Sequence, residues 1–168
     1  MTRIPLSLIV NGQTHEVLVE PHRTLLEVLR TDLGLIGTKE NCLEAECGVC
    51  TVLLEGAAVN ACIVLAAQCQ GRAIVTIEGL AAPGRLHPLQ QAFIDHGAVQ
   101  CGYCIPGMIV AAKAYLDENP EPDDSGVREA LAGNLCRCTG YQRIVEAVLS
   151  AARVLRASTT ATSRETAR

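Results

Sequence analysis

The chain has 168 residues, 49% of them apolar and 2% aromatic, and a formal net charge of −4. That length suits one domain or two small ones with a real core. The acidic balance and the few rings (Phe93, Tyr103, Tyr115 and Tyr141) exclude a basic, ring-stacked single-stranded nucleic-acid surface and an anionic membrane surface as partners.

No run reaches the roughly 18 apolar residues of a spanning helix. Met1 to Val10 lacks the long apolar stretch and small-residue cleavage site of a secretory signal, so a cytoplasmic location is expected. In that reducing setting nine cysteines point to metal or redox chemistry in place of disulfides.

From Ile4 to Glu20 apolar residues roughly alternate around Asn11-Gly12, which predicts a β-hairpin with a tight turn. Thr24 and Glu27 form a capping-box signal for a helix with Leu25, Val28 and Leu29 on one face. A cysteine-rich loop follows. Thr51 to Leu54 and Ala73 to Ile77 then read as strands, with a Glu55-Gly56 turn between them. Hairpin, helix, loop and further strands make an α+β layer.

Gly79 to Pro88, with Pro83 and Gly84, reads as a linker. Beyond it the period is helical. Leu89 to His96 is one short amphipathic segment. Met108, Ala111, Ala112, Tyr115 and Leu116 form the stripe of a second helix ending near Pro120. Val127, Ala130 and Leu131 mark a third, with Asp123, Asp124 or Ser125 as its cap. Ile144, Val148, Leu149, Ala152 and Leu155 mark a fourth, and four short helices suggest a small bundle. The Thr/Ser-rich tail from Ser158 lacks periodicity and is expected to be disordered. The expected domains are therefore 1–79 and 80–157, with a tail over 158–168. Halves under about 80 residues tend to need staples such as metals.

The cysteines divide four and four across these halves, with Cys69 left over as a small buried hydrophobe. Cys42, Cys47 and Cys50 are spaced C-x4-C-x2-C, and eleven residues separate Cys50 from Cys62. This is the plant-type ferredoxin pattern for a 2Fe–2S cluster. Gly48 suits the crowded turn because it lacks a Cβ and allows positive φ. Zinc usually takes two C-x2-C pairs, and only one such pair is present here. Zinc or buried structural cysteines stay open as alternatives.

Cys101 and Cys104 form a second C-x2-C, followed after 31 residues by Cys136-Arg137-Cys138. Pro106 favours a helix start just after Cys104. Thr139 and Gln142 form a capping-box candidate for the fourth helix, which would put Cys136 and Cys138 at its N-terminal end. Two positive helix ends would then face thiolates. Zinc remains an alternative at this set as well. Arg137 could pair with negative charge at the site or face a partner. Tyr103 and Tyr141 could shield the site or simply pack, and Lys39 and Glu40 read as solvated loop charges.

His15, His22, His87 and His96 lack metal-ligand spacing, so they read as surface or packing residues and a Rieske centre is unsupported. No nucleophile–base pair, phosphate loop or flavin fingerprint is evident, so no substrate-converting site is expected on this chain. Three roles fit the residues: a subunit of a larger oxidoreductase, a free-standing ferredoxin-like carrier, or a zinc-stabilised binding module.

Cys-Gly-Val-Cys-Thr-Val at 47–52, Gln-Cys-Gly-Tyr-Cys-Ile-Pro-Gly-Met at 100–108 and Gly-Asn-Leu-Cys-Arg-Cys-Thr-Gly-Tyr at 133–141 carry a family resemblance. From about Ser7 to Val154 the chain resembles the small iron–sulfur subunit of the molybdenum hydroxylases, the xanthine dehydrogenase and aerobic carbon monoxide dehydrogenase group. The resemblance implies an α+β protein, with an N-terminal β-grasp 2Fe–2S ferredoxin-like domain and a C-terminal four-helix-bundle 2Fe–2S-binding domain. It implies one cluster on Cys42, Cys47, Cys50 and Cys62, nearer a flavin. A second would sit on Cys101, Cys104, Cys136 and Cys138, nearer a molybdenum cofactor.

It further implies a large molybdopterin-binding subunit and a medium FAD-binding subunit as partners, assembled as a dimer of heterotrimers. Electrons would run from molybdopterin through this chain to FAD. Gln100 matches a position that hydrogen-bonds the pterin, with the Cys138 sulfur close by. The sequence departs from the pattern at Asn41 and Ala45, where glycines are common, and at Ile105, where Thr is common. Ala45 is the costlier change if its φ is positive.

Overall fold

In the computed structural model, residues 2–82 and 84–165 are described, with side chains as far as Ser158. The readings placed on Met1, Pro83 and 166–168 lie outside the described residues.

The alternating N-terminal segment folds as β1 (Ile4–Val10) and β2 (Gln13–Val19), paired antiparallel from Ile4 against Val19 to Val10 against Gln13. Asn11 and Gly12 both have positive φ, 52° and 77°. That is the type I′ geometry whose twist matches a two-residue hairpin. The Thr24 hydroxyl accepts from Glu27 N–H, and the Glu27 carboxylate accepts from Thr24 N–H, so the expected capping box opens α1 (Leu25–Glu27). The chain continues as a π-helical turn over Val28–Asp32.

After the cysteine loop come β3 (Thr51–Leu54), β4 (Ala57–Asn60) and β5 (Ala73–Val75). The sheet order is β2-β1-β5-β3-β4, with β1 and β5 parallel and the other pairs antiparallel. The Glu55-Gly56 turn is legible in the sequence, and its φ values are 53° and 85°. The short strand β4 behind it is not. Its residues are half-buried or exposed and carry no alternation. Ile77 leaves the sheet and starts a 3-10 turn over Ile77–Gly79, so the last strand is shorter than the apolar run predicts.

Four helices follow: α2 (Pro88–Asp95), α3 (Ile105–Glu118), α4 (Asp124–Ala130) and α5 (Gln142–Glu165). Asp123 caps α4 by accepting from Gly126 N–H at 2.8 Å. α5 carries helix into the stretch after Ser158, which the sequence reads as a disordered tail. Together these elements form an α+β protein with a mixed sheet and a helical portion. Among the described residues no helix is long and apolar enough to cross a membrane.

Two cores hold the chain. One joins Leu8, Val10, Leu25, Leu26 and Leu29 with Val52 and Ile74 beneath the sheet. The other joins Leu89, Phe93, Met108, Ile144 and Val148 among the helices. Each such fully buried side chain contributes about 1.5–3 kcal/mol. The helical core also takes in Cys47 and Val49 of the first cysteine loop, so the halves share packing where the cysteines lie.

Candidate metal centres

The first cysteine loop leaves the π-helical turn and is closed at its neck by Lys39 N–H donating to the Val49 carbonyl at 3.3 Å. Asn60 Nδ2 donates to the Ala45 carbonyl at 3.0 Å and pins the loop to β4. Inside the loop, the backbone N–H groups of Glu44, Cys47 and Glu46 face the Cys42 sulfur. The Glu44 N–H leads in bringing that thiol down to about 7, and the neighbouring Cys47 sulfur adds to it. Converging N–H donors favour a thiolate, the form that binds metal. Cys50 lies against Cys62, and burial first, with the Cys62 sulfur adding to it against the opposing Cys62 N–H, pushes it up to about 12. A cation bound between the two sulfurs would reverse that penalty.

The second set lies on α3 and on the loop before α5. Cys104 is the N-cap residue of α3, with proline in the first turn as predicted. Cys138 Sγ stands 3.6 Å from Cys101 Sγ. A disulfide would need about 2.05 Å, whereas two thiolates on one tetrahedral metal at about 2.3 Å stand about 3.8 Å apart. Cys104 lies against Cys136 and is pushed up to about 12, by burial first and then by that contact. Burial also raises Cys136, but donors from Thr139 and the Cys138 N–H outweigh it and leave the thiol below its ordinary value. Cys138 is raised, first by its contact with Cys101.

The structure thus brings together all eight predicted cysteines as four pairs: 42 with 47, 50 with 62, 101 with 138, and 104 with 136. None of the nine cysteines is joined to another in a disulfide. Among the described residues no three His, Cys, Asp or Glu side chains converge as they would around a single ion. The soft donors, paired at this spacing, could hold iron–sulfur clusters.

One seam joins the two sets. Leu135 N–H donates to the Cys47 carbonyl at 2.9 Å. The buried Asn134 donates from Nδ2 to the Gly48 carbonyl at 2.8 Å and to Thr51 Oγ1 at 3.2 Å. A Cβ on Gly48, which has φ +68°, would lie 2.3 Å from the Gly133 carbonyl oxygen, and one on Gly107 would lie 2.4 Å from the Gly48 carbonyl oxygen. The Tyr103 hydroxyl also reaches across to donate to the Glu40 carbonyl.

Two family models match. One, described as a 2Fe-2S iron-sulfur cluster binding domain, covers residues 8–73, and the other, a 2Fe-2S binding domain, covers 76–149. The nicotinate dehydrogenase small FeS subunit of Eubacterium barkeri is 50% identical over 88% of this chain and 94% of its own length. A probable xanthine dehydrogenase subunit of Bacillus subtilis is 48% identical over 88% of this chain and 83% of its own length. Quinoline 2-oxidoreductase from Pseudomonas putida 86 contains a chain that superposes with a TM-score of 0.89 at 42% identity, covering 93% of this chain and 98% of that one. The chain belongs to the small iron–sulfur subunits of the molybdenum hydroxylases. It is an electron-transfer subunit of an oxidoreductase.

Other expected features of the subunit divide. Gln100 is exposed beside Cys101, as is its neighbour Val99. Arg137 is exposed. Cys69 is fully buried under the sheet, its thiol raised by burial and directed to the Leu65 carbonyl at 3.8 Å.

The capping box expected at Thr139 and Gln142 does not form. Gly140 and Tyr141, at φ 69° and 68°, break the helical phase between them. Gln142 instead accepts from Arg128 Nη2 at 2.9 Å and donates to Glu146 Oε1 at 2.8 Å. Tyr141 does more than pack, since its hydroxyl accepts from Cys136 N–H at 2.7 Å and donates to the Asn134 carbonyl at 3.3 Å. Asn134, Leu135 and Tyr103 act across the seam, a role no local pattern in the sequence announces.

Proposed function

We propose that the chain holds two 2Fe–2S clusters, one on Cys42, Cys47, Cys50 and Cys62 and one on Cys101, Cys104, Cys136 and Cys138. The observation that carries this is the pairing of sulfurs. A two-iron cluster takes two thiolates per iron, and the sulfurs approach in four twos. When bound, such clusters each accept and release one electron. This chain supplies the thiolates, the N–H donors that hold their charge, and a fixed spacing through the Asn134–Gly48 seam.

In the fuller reading, the first centre sits in a β-grasp domain over 1–79 and the second in a four-helix domain over 80–157. Residues 158–168 are a tail outside both. The family matches, ending at residues 73 and 149, support that division. Electrons enter from a molybdopterin site on a large partner and leave to FAD on a medium one, within a dimer of heterotrimers in the cytoplasm. Gln100 and Cys138 meet the pterin side, which their exposure supports. Relatives named as small subunits support partners of larger size.

The test is iron and sulfide analysis with paramagnetic resonance of the purified complex. About four irons and four sulfides per chain, with two distinct reduced signals, are expected. Cys136→Ser should abolish one signal and spare the other. A colourless zinc protein, or two intact signals in that variant, would refute the assignment.

A further inference from the structure

The loop from Cys136 to Tyr141 is closed on itself around one sulfur. Thr139 donates to Cys136 Sγ twice, from its hydroxyl at 3.1 Å and from its backbone N–H at 3.5 Å. The hydroxyl cannot easily turn away. Tyr141 N–H donates to Thr139 Oγ1 at 3.2 Å, which occupies a lone pair and leaves the O–H free to point at sulfur. Tyr141 is itself fixed, because its side-chain hydroxyl returns to Cys136 N–H and the Asn134 carbonyl. Thr139 is also half-buried, where a hydrogen bond is worth more than in open water.

The closed loop has a redox consequence. Reduction adds negative charge to a cluster and its ligand sulfurs. A donor aimed at a ligand sulfur therefore stabilises the reduced form more than the oxidised one and raises the potential. We propose that Thr139 is a positioning residue that sets the reduction potential of the second centre, by donating its hydroxyl to the Cys136 sulfur. The proposal rests on the reading of Cys136 as a cluster ligand. It adds a residue outside the cysteine set to what controls electron flow. It also makes Thr139 a thermodynamic element of the centre and not only a turn residue.

The experiment is a potentiometric titration of the purified complex, with both cluster signals followed by paramagnetic resonance in wild type, Thr139→Val and Thr139→Ser. Valine keeps the shape and removes the donor; serine keeps the donor. At the wild-type midpoint of the second centre, Thr139→Val should lower the reduced-to-oxidised ratio about tenfold, equivalent to about 59 mV for one electron. Thr139→Ser should stay near wild type, and the first centre should not move in either variant. If Thr139→Val does not assemble, Thr139→Ala removes the donor without added bulk and carries the same expectation.

An unmoved second centre, or equal shifts in both centres, would overturn the proposal while leaving the ligand assignment intact. A wild-type complex with a single cluster signal would overturn both.

Discussion

Ala45 holds φ +64° in the loop between Cys42 and Cys47. A left-handed backbone costs an L-residue about 1–2 kcal/mol, whereas glycine adopts it freely. Against that, the Ala45 methyl is partly buried on the sheet core, and a fully buried methylene contributes about 0.8 kcal/mol. The backbone effect is the larger. Ala45→Gly should therefore stabilise the chain by about 0.5–1 kcal/mol, raising the thermal midpoint by roughly 1–4 °C at this size. A lower midpoint would show that the methyl contact dominates. Leu43, at φ +61° and 53% exposed, is not legible as a second such position, because nothing in a leucine announces that backbone. Asn41, the other departure from the family glycines, is outside the positive-φ set.

At the level of elements, the residues that start each helix decide more than its apolar stripe. The sequence reads His87 as a surface or packing residue, yet it caps α2. Its Nδ1 accepts from Leu89 N–H at 3.2 Å, and its own N–H donates to Gln90 at 2.9 Å. Pro88 and Gln90 carry that signal, but histidine is not among the usual cap residues. The cap needs a neutral ring. Burial first, then Lys113, holds the His87 pKa below its ordinary 6.5, and Asp117, ion-paired to Lys113, opposes them. A base with a depressed folded pKa stabilises the fold above its unfolded pKa and loses that contribution as pH falls through the folded value. Wild type should thus lose up to about 1 kcal/mol on acidification from pH 7 to below the folded pKa that His87→Asn, a cap that does not titrate, does not lose. Urea midpoints for both proteins across that range measure the difference. Parallel pH profiles would show that protonation of His87 does not weaken the fold.

For the whole molecule, the cysteine spacing makes the two candidate centres legible, because ligand geometry is a local constraint. What joins them is not. Asn134 and the Gly48 carbonyl are 86 residues apart, and the close approach at Gly107 is a tertiary event without a periodic trace. The two sets differ in their exposure to solvent. In the first set Cys47, Cys50 and Cys62 are buried and Cys42 is half-buried, whereas in the second Cys104 is buried, Cys136 half-buried, and Cys101 and Cys138 are exposed. Iron is lost where a ligand sulfur can be reached by water or a competing ligand, so the second centre should be the labile one in the isolated chain. With an iron chelator, the second paramagnetic signal should decay severalfold faster than the first. Assembly with a partner over the Cys101–Cys138 face should slow that decay and leave the first centre unchanged. Were the first signal to vanish ahead of the second, sulfur exposure would not be what governs release. The backbone donors around Cys42 would then be holding charge without holding metal.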